Sequence, residues 1–324
     1  MGRRAGRAVV ALVALALAAA ACVPVASRGE PRNPRRVGGG FSLLTYNVAG
    51  LPEGISQSHP EASSPVIGRL INGYDLVVLQ EDFGFYSHLI AGNATHPHRS
   101  DPHPGPKVEN PIGRPTALVG DGLNRYSRLA FGDVVRVPWP GCFGGADTSD
   151  GGSGDCLALK GYSYGRHALG DDRWVDVYNL HVEAGNTPLD LALAADDLDV
   201  LAAEIESRSR GHAVIVAGDF NLHPDRPEEA AILDAFRARL RLIDVCDRVD
   251  CGDDANEIDR VMYRSGAGVA LRAVSHTFER DTFVDAAGEP LSDHDPLAVD
   301  FVWRRQGCGG HSARTGHAGG CAHP

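Results

Sequence analysis

The chain has 324 residues, of which 43% are hydrophobic and 23% are charged. This composition excludes a disordered or fibrous protein and fits one large globular domain or two small ones. Acidic residues outnumber basic residues by 42 to 31, and the formal net charge of −11 disfavours a polyanionic partner unless a basic patch or bound cations intervene.

Residues 1–21 have the pattern of an export signal. Arg3, Arg4 and Arg7 precede an apolar, alanine-rich stretch that is too short for a comfortable membrane span. Cys22 follows directly, as in the signal of a bacterial lipoprotein, so we expect it to be lipidated and to become the mature N-terminus. Ordinary cleavage nearby, followed by secretion, is the alternative. Both interpretations predict an exported protein, either anchored to the cell membrane or secreted.

The remaining chain divides into a linker, a folded domain and a tail. Residues 22–39 are rich in Pro, Gly and Arg and lack periodicity, which predicts a flexible linker. Within the expected domain, residues 40–304, the hydrophobic patterns predict helices over 62–73, 187–209 and 226–242 and strands over 41–50, 74–81, 157–169, 173–184, 212–221, 258–265, 270–279 and 294–303. Because some strands follow one another directly and others are separated by helices, we expect a layered sandwich of sheets covered by helices. Residues 305–324 contain too few apolar residues for a core and are expected to form a surface tail.

The seven cysteines agree with export. If Cys22 carries lipid, six cysteines remain, and an oxidising compartment favours disulfides among them. Six cysteines allow about fifteen connectivities, so their pairing stays open on sequence alone. Proximity along the chain favours three local pairs, which are Cys142 with Cys156, Cys246 with Cys251, and Cys308 with Cys321.

Polar residues recur where the apolar strands end, the usual way in which a rigid scaffold presents chemistry. Carboxylates and amides without thiolate partners favour a hard cation such as Mg²⁺. Two histidines, each with an aspartate to orient it, suit general acid and base catalysis. Hydrolysis of a phosphodiester needs both features. The residues concerned are Asn47, Glu81, Asn179, His181, Asp219, Asn221, Asp259, Asp293 and His294.

Six motifs in order along residues 41–303 resemble those of the endonuclease/exonuclease/phosphatase superfamily: "TYNVAG", "VVLQE", "YNLHVE", "GDFN", "IDRVMY" and "SDHDP". The resemblance implies a DNase I-like four-layer α/β sandwich, in which two packed, mainly antiparallel β-sheets are flanked by helices. It also implies a cation-dependent phosphoesterase that attacks a phosphodiester in line with an activated water.

For the cation, the resemblance implies Glu81 as the main ligand. Asn47 would lie beside the metal or the phosphate, and Asp293 would support the metal region. The expected ion is Mg²⁺, with Mn²⁺ and Co²⁺ as alternatives.

For the chemical step, the resemblance implies that His294 is the general base and that Asp219 orients it. His181 would stabilise a phosphoryl oxygen or act as the acid, held by Asp259. Asn221 would donate a hydrogen bond to the phosphate.

The substrate class is predicted from the segment "DCLALKGYSYGRHAL", which resembles secreted bacterial sphingomyelinases. In this segment Lys160 and Gly161 open a strand that leads towards the histidine motif. We therefore expect a monomeric phosphodiesterase of the sphingomyelinase C type that acts on a phospholipid. The chain departs from that pattern in having no long apolar hairpin, and only the aromatics Trp139 and Phe143 look exposed.

Two alternatives remain open. A secreted DNase I-like nuclease would bind nucleic acid, which the acidic composition disfavours. A non-catalytic surface lipoprotein would use the same fold for binding, but such a protein would be expected to have lost Glu81 or one of the histidines, and all are present.

Overall fold

A computed structural model describes residues 38–306, apart from residues 57, 101–111, 148 and 150. The chain divides into two compact units, 1–35 and 36–324, and the first lies outside the described residues. The predicted export signal, the lipidation site Cys22, most of the linker and the tail with Cys308 and Cys321 therefore also lie outside them.

The described chain contains thirteen strands and four α-helices. The helices are α1 (Pro60–Leu70), α2 (Ser87–Asn93), α3 (Pro188–Arg208) and α4 (Pro227–Leu240). The strands are β1 (Gly38–Asn47), β2 (Leu76–Gln80), β3 (His98–Arg99), β4 (Arg125–Ser127), β5 (Val135–Pro138), β6 (Gly161–Gly170), β7 (Arg173–His181), β8 (Val214–Asp219), β9 (Ile243–Asp244), β10 (Asp259–Arg264), β11 (Val269–Ala273), β12 (Thr277–Phe278) and β13 (Leu297–Arg305).

The strands form two sheets. The first has seven strands in the order β11-β13-β1-β2-β4-β3, with β12 also paired to β13, and the second has six in the order β5-β6-β7-β8-β10-β9. Each sheet is antiparallel except for one parallel pair, β1 with β2 and β7 with β8. A parallel pair needs a crossover, and helices α1 and α3 lie in the two crossovers.

Three apolar clusters arrange these elements as four layers. The first joins the facing sides of the two sheets, including Leu43, Val177 and Phe301. The second packs the other side of the six-stranded sheet against α3 and α4, and the third packs the other side of the seven-stranded sheet against α1 and α2. The predicted DNase I-like sandwich of two sheets flanked by helices is thus confirmed.

Local signals explain why the longest helix begins where it was predicted. Thr187 caps α3, its side chain accepting a hydrogen bond from the backbone N–H of Asp190 while the Asp190 carboxylate accepts one from the backbone N–H of Thr187. Pro188 fills the first helical position, where no backbone donor is needed.

Two strands extend slightly beyond the expected domain of residues 40–304. β1 begins at Gly38, inside the predicted linker, because Gly38 and Gly39 pair with Arg304 and Trp303 of β13. β13 in turn extends to Arg305, one residue into the predicted tail. The sequence patterns also missed α2 and the short strands β3, β5 and β9, whose few residues carry no periodic signal.

Two of the predicted disulfides are present, Cys142–Cys156 and Cys246–Cys251. Trp139, one of the two aromatics that look exposed in the sequence, is buried and packs against Tyr162. Within the described residues, none of the helices has both the length and the apolar character that crossing a membrane requires.

Candidate active site

The strand ends converge on one cavity of about 490 Å³. Five of the predicted site residues line it: Glu81, His181, Asp219, Asn221 and His294. Asn47 and Asp259 lie behind them and contact the lining residues through hydrogen bonds. Asp293 is exposed beside the site and is outside the cavity lining.

Strand register explains why residues far apart in sequence meet here. The parallel pairing of β7 with β8 sets His181 opposite Asp219. The antiparallel pairing of β10 with β8 sets Asp259 opposite the same Asp219. β1 of the other sheet brings Asn47 within 3.1 Å of the Asp219 carboxylate. Both sheets therefore contribute to one polar cluster.

Asn47 joins the carboxylates of the two sheets. Its amide nitrogen donates to Glu81 Oε1 and to Asp219 Oδ2, each at 3.1 Å, while its amide oxygen accepts from the backbone N–H of Ala49 at 3.1 Å. Asn47 therefore links the two carboxylates, and its expected place beside the metal or the phosphate stays a prediction.

The histidine and aspartate pairs differ from those that the sequence predicted. His294 Nδ1 lies 2.6 Å from Asp259 Oδ2, whereas His294 Nε2 lies 3.8 Å from Asp219 Oδ2. His181 Nε2 is 3.3 Å from Asp219 Oδ2. The prediction that Asp219 orients His294 and Asp259 holds His181 was wrong, because strand register sets His181 beside Asp219.

The loop that carries His294 is fixed to β1. Ser292 Oγ donates to the Asn47 carbonyl at 2.7 Å and accepts from the backbone N–H of His294 at 3.3 Å. These bonds hold the imidazole over Asp259.

The two histidines have opposite protonation tendencies. Burial alone would lower the pKa of His294, but the hydrogen bond and negative charge of Asp259 outweigh it and raise the pKa. Burial lowers the pKa of His181 well below its usual range, and the positive charges of Lys160 and His294 add to this effect. The lowered pKa favours neutral His181, whereas the charge of Asp259 favours protonated His294.

Glu81 has a backbone conformation that is unusual for its residue type. Its φ is 53°, in the left-handed region, which costs a non-glycine residue about 1–2 kcal/mol. Neighbouring glycines accommodate this turn: a Cβ on Gly50 or Gly122 would come within 2.3 Å or 2.8 Å of Glu81 backbone atoms. Burial raises the pKa of Glu81, opposed by Lys160 and by the bond from Asn47.

Comparisons with known proteins agree with this geometry. The profile of the Endonuclease/Exonuclease/phosphatase family matches residues 44–294. The chain belongs to this family.

Among its relatives, the sphingomyelinase of Mycobacterium tuberculosis is 36% identical over an alignment of 280 residues that covers 82% of this chain and 53% of that protein. The chain thus spans about half the length of the curated relatives that it matches.

Solved structures of this fold include proteins with different ligands. A mutant Staphylococcus aureus beta toxin with bound magnesium ions aligns with a TM-score of 0.56 and 15% identity, over 81% of this chain and 99% of that one. D. rerio TDP2 in complex with a single-strand DNA product aligns with a TM-score of 0.57 and 15% identity, over 81% and 98%. At such identities the likeness shows the fold alone.

As in the sequence prediction, the family's polar motifs fall at strand ends, but not all of their residues reach the cavity. Asn179 is fully buried between the sheets, where its side chain donates to the Leu79 carbonyl at 2.8 Å and accepts from Gln80 Nε2 at 2.6 Å. It joins the two sheets and has no exposed surface for a ligand. Phe220, between Asp219 and Asn221, is fully buried.

Lys160 is the lysine that the "KG" segment pointed to, and it lines the cavity of this family member. Its ammonium group forms an ion pair with Asp155 and lies 3.4 Å from the Val182 carbonyl. Burial alone would lower the pKa of Lys160, but the negative charges of Asp155, Asp219 and Glu81 outweigh it and raise the pKa. The sequence analysis missed Asp155, which lies in a 3-10 helix within the loop closed by the first disulfide.

The apolar wall of the cavity was also missed. Its large side chains come from separate loops and from no single motif, so no sequence pattern marks them. They are Leu51, Phe83, Phe85, Val119 and Leu157.

The donor set at the cavity floor fits a hard divalent cation. Glu81 and Asp219 present carboxylates to the cavity, and the charge of Asp293 acts on Glu81 from outside it. Ligand atoms of Asp219, Asp259 and His294 also lie within 4.8 Å of one another, but the bond between Asp259 and His294 occupies two of these three. Oxygen donors of this kind are those that Mg²⁺ prefers.

Proposed function

We propose that this chain is a divalent-cation-dependent phosphoric diester hydrolase of the sphingomyelinase C type, acting on a phospholipid. The observation that supports this proposal is one cavity with two distinct surfaces. Its floor combines a histidine–aspartate pair with carboxylates, and its wall is apolar. Similarity to the mycobacterial sphingomyelinase supports the same substrate class.

His294 acts as the general base in this proposal. A carboxylate only accepts, so the 2.6 Å contact places the Nδ1 proton of His294 on the side of Asp259. Nε2 is then the nitrogen that takes the proton from the attacking water. The negative charge of Asp259 stabilises the imidazolium that forms.

Three further side chains contact the phosphoryl group or its leaving group. The side-chain amide of Asn221 donates one hydrogen to the Val182 carbonyl at 2.9 Å, and its second hydrogen can be donated to a phosphoryl oxygen. Lys160, held by Asp155, offers a positive charge to the same region. The neutral His181 donates from the cavity floor to a phosphoryl oxygen or to the leaving group.

A bound cation would be held by Glu81, with Asp219 or Asp293 as a second ligand. When bound, it would polarise the phosphoryl oxygen and offset the charges of Asp219 and Asp293, which add to that of Asp259 in raising the pKa of His294. We expect Mg²⁺ in this role, with Mn²⁺ or Co²⁺ as substitutes.

The cellular setting is part of the proposal. The two disulfides favour an oxidising compartment, in agreement with an export signal over residues 1–21 and lipidation of Cys22. We propose an exported, monomeric protein, either secreted or attached to the cell membrane by this lipid. Its domain comprises residues 38–305, with a linker before it and a tail after it.

The proposal is tested by incubating the purified protein with sphingomyelin and phosphatidylcholine micelles and with plasmid DNA, each with Mg²⁺ and with EDTA. We expect Mg²⁺-dependent release of phosphocholine and intact DNA. Cleaved DNA with intact lipid would overturn the lipid assignment and favour the nuclease alternative. Binding of lipid without hydrolysis of any phosphodiester would favour the non-catalytic alternative.

A further inference from the structure

The most exposed large apolar side chains of the described residues lie at the mouth of the active-site cavity. Ile55 is 69% exposed and Leu118 is 62% exposed, and both line the cavity. The other exposed large apolar residues of the described chain are less exposed and lie outside the cavity lining: Ile112, Trp174, Leu189 and Val274.

The backbone holds these two side chains in their exposed positions. The N–H of Ile55 donates to the Pro52 carbonyl at 3.0 Å, closing a turn. The N–H of Leu118 donates to the Leu157 carbonyl at 2.8 Å. Because both backbones are tied by hydrogen bonds, the exposure is built into the loops. Apolar surface that the fold keeps in water beside a binding site marks a contact with an apolar partner.

The apolar lining of the cavity extends from these exposed residues to more buried ones. Phe85 and Leu157 are partly buried and Phe83 is buried. Lys160 is the single lysine or arginine among the lining residues that the structure describes. This arrangement suits a molecule with a phosphodiester at one end and an apolar body at the other, and a polyanion finds few cationic partners here.

We infer that Ile55 and Leu118 dock the protein onto a lipid surface, entering the apolar layer of aggregated phospholipid and holding the cavity over it. The partner is a lipid surface because these two apolar residues line the same cavity as the proposed phosphoryl-binding groups. The inference rests on the proposed function in taking phospholipid as the substrate. It also gives a lipid contact to a chain in which no long apolar hairpin was found.

The test compares the wild-type protein, the double variant Ile55→Ser with Leu118→Ser, and the control Trp174→Ser. Trp174 is 46% exposed and lies on β7 at the end of the strand remote from His181. Every protein carries Cys22→Ser, so that no lipid anchor contributes, and melting temperatures check folding. Sedimentation with sucrose-loaded vesicles of sphingomyelin and phosphatidylcholine, in EDTA, measures binding without turnover.

We expect the double variant to bind vesicles at least about tenfold more weakly than wild type, since two aliphatic side chains no longer enter lipid. Its kcat/KM on vesicles should fall by a similar factor. Its kcat/KM on soluble bis(4-nitrophenyl) phosphate should fall much less than its kcat/KM on vesicles, because the catalytic groups are intact and no lipid surface is involved. Trp174→Ser should match wild type in all three measurements.

Vesicle binding by the double variant at wild-type strength would overturn the inference. An equal loss on vesicles and on the soluble diester would also overturn it, since the residues would then only shape the cavity. Failure of the proposed function gives a different result: a wild-type protein that cleaves no phospholipid, yet binds vesicles through Ile55 and Leu118, would support docking and refute the substrate assignment.

Discussion

Each end of the six-stranded sheet buries an aspartate next to a histidine, but the two ends differ in how the negative charge of the aspartate is compensated. At the end remote from the cavity, Asp176 accepts from Arg166 Nε at 2.6 Å, Ser209 Oγ at 2.6 Å and Tyr164 Oη at 3.1 Å, and lies 3.0 Å from His212 Nδ1. Among the described residues, no side-chain atom of this remote cluster is buried without a hydrogen-bond partner. Neighbouring side chains of the fold therefore compensate the negative charge of Asp176.

The cavity end is left incomplete by comparison. His181 Nδ1 and Asp259 Oδ1 are buried without a hydrogen-bond partner. Asp219 and Glu81 share the amide of Asn47, and Asp219 also accepts from the backbone N–H of Asn221 at 3.0 Å. Buried polar groups are normally satisfied, and unsatisfied ones cost free energy. The remote cluster is therefore satisfied within the fold, whereas the cavity end leaves polar atoms without partners, as the proposed ligand-binding role requires.

Replacement of His294 should give the largest effect on activity. Without its base the His294→Ala variant should lose about 10²–10⁴-fold in kcat, the range typical of general acid–base catalysis. His212→Ala at the remote end is the matched control and should keep kcat within about twofold. Phosphodiester hydrolysis and thermal unfolding are measured on both. Normal turnover by His294→Ala would refute the base assignment.

Replacement of Asp176 should instead destabilise the protein. Asp176→Asn leaves Arg166 and His212 without their counter-charge, and we expect a loss of about 2–3 kcal/mol in the free energy of unfolding. This expected loss is smaller than the loss for a fully buried ion pair, because the Arg166 side chain is 38% exposed. Denaturant unfolding measures it. A variant as stable as wild type, or one that is inactive although folded, would contradict the assignment of a purely structural role.

The pH dependence of the unfolding free energy gives a second test of the role of Asp176. Burial alone would raise the pKa of Asp176, but the hydrogen bonds from Arg166, Ser209 and His212 outweigh it and lower the pKa below its unfolded value. The stabilisation is therefore present above the unfolded pKa and is lost as the pH falls through the lower, folded pKa. The stability gap between wild type and Asp176→Asn should be widest near neutral pH and should narrow in acid. A gap that widens in acid would contradict the sign.

The main strands and helices and much of the cavity lining could be predicted from the sequence. Alternating and continuous apolar runs predicted the main strands and helices, because burial on one or both faces leaves a periodic trace. Polar residues at the ends of apolar runs predicted Glu81, His181, Asp219, Asn221 and His294, all of which line the cavity. A polar residue next to a buried strand departs from the apolar pattern, so such residues are visible without a structure.

What the sequence did not contain was the register between strands. Asp219 and Asp259 both follow or begin buried strands, and only their pairing decides which of them meets His294. Asp155 and the apolar wall come from loops whose positions depend on the assembled sandwich. The remote cluster was missed for the same reason, since Asp176 and Arg166 meet only across the pairing of β6 with β7.

Glu81 offers a test of whether the excess negative charge serves a cation. Glu81→Gln keeps the side-chain size and the contact with Asn47 but removes a charge from the cavity floor. We expect the activity-based affinity for Mg²⁺ to fall by about 10–100-fold, the range found when groups that support a metal site are lost. The matched control is Glu229→Gln, a buried carboxylate of α4 outside the cavity lining. An unchanged Mg²⁺ titration in Glu81→Gln would count against the ligand assignment.

Trp139 should give the smallest effect, because it supports the cavity end only through a backbone group. Its indole N–H donates to the His181 carbonyl at 2.7 Å within the buried core. Trp139→Phe leaves that carbonyl unpaired, and we expect a loss of about 1–2 kcal/mol in unfolding free energy. The exposed Trp174→Phe should change nothing. If the two substitutions cost the same, the bond to His181 contributes no stability. If Trp139→Phe also lowers kcat while the Mg²⁺ titration is unchanged, the indole helps to position His181 for the phosphoryl group.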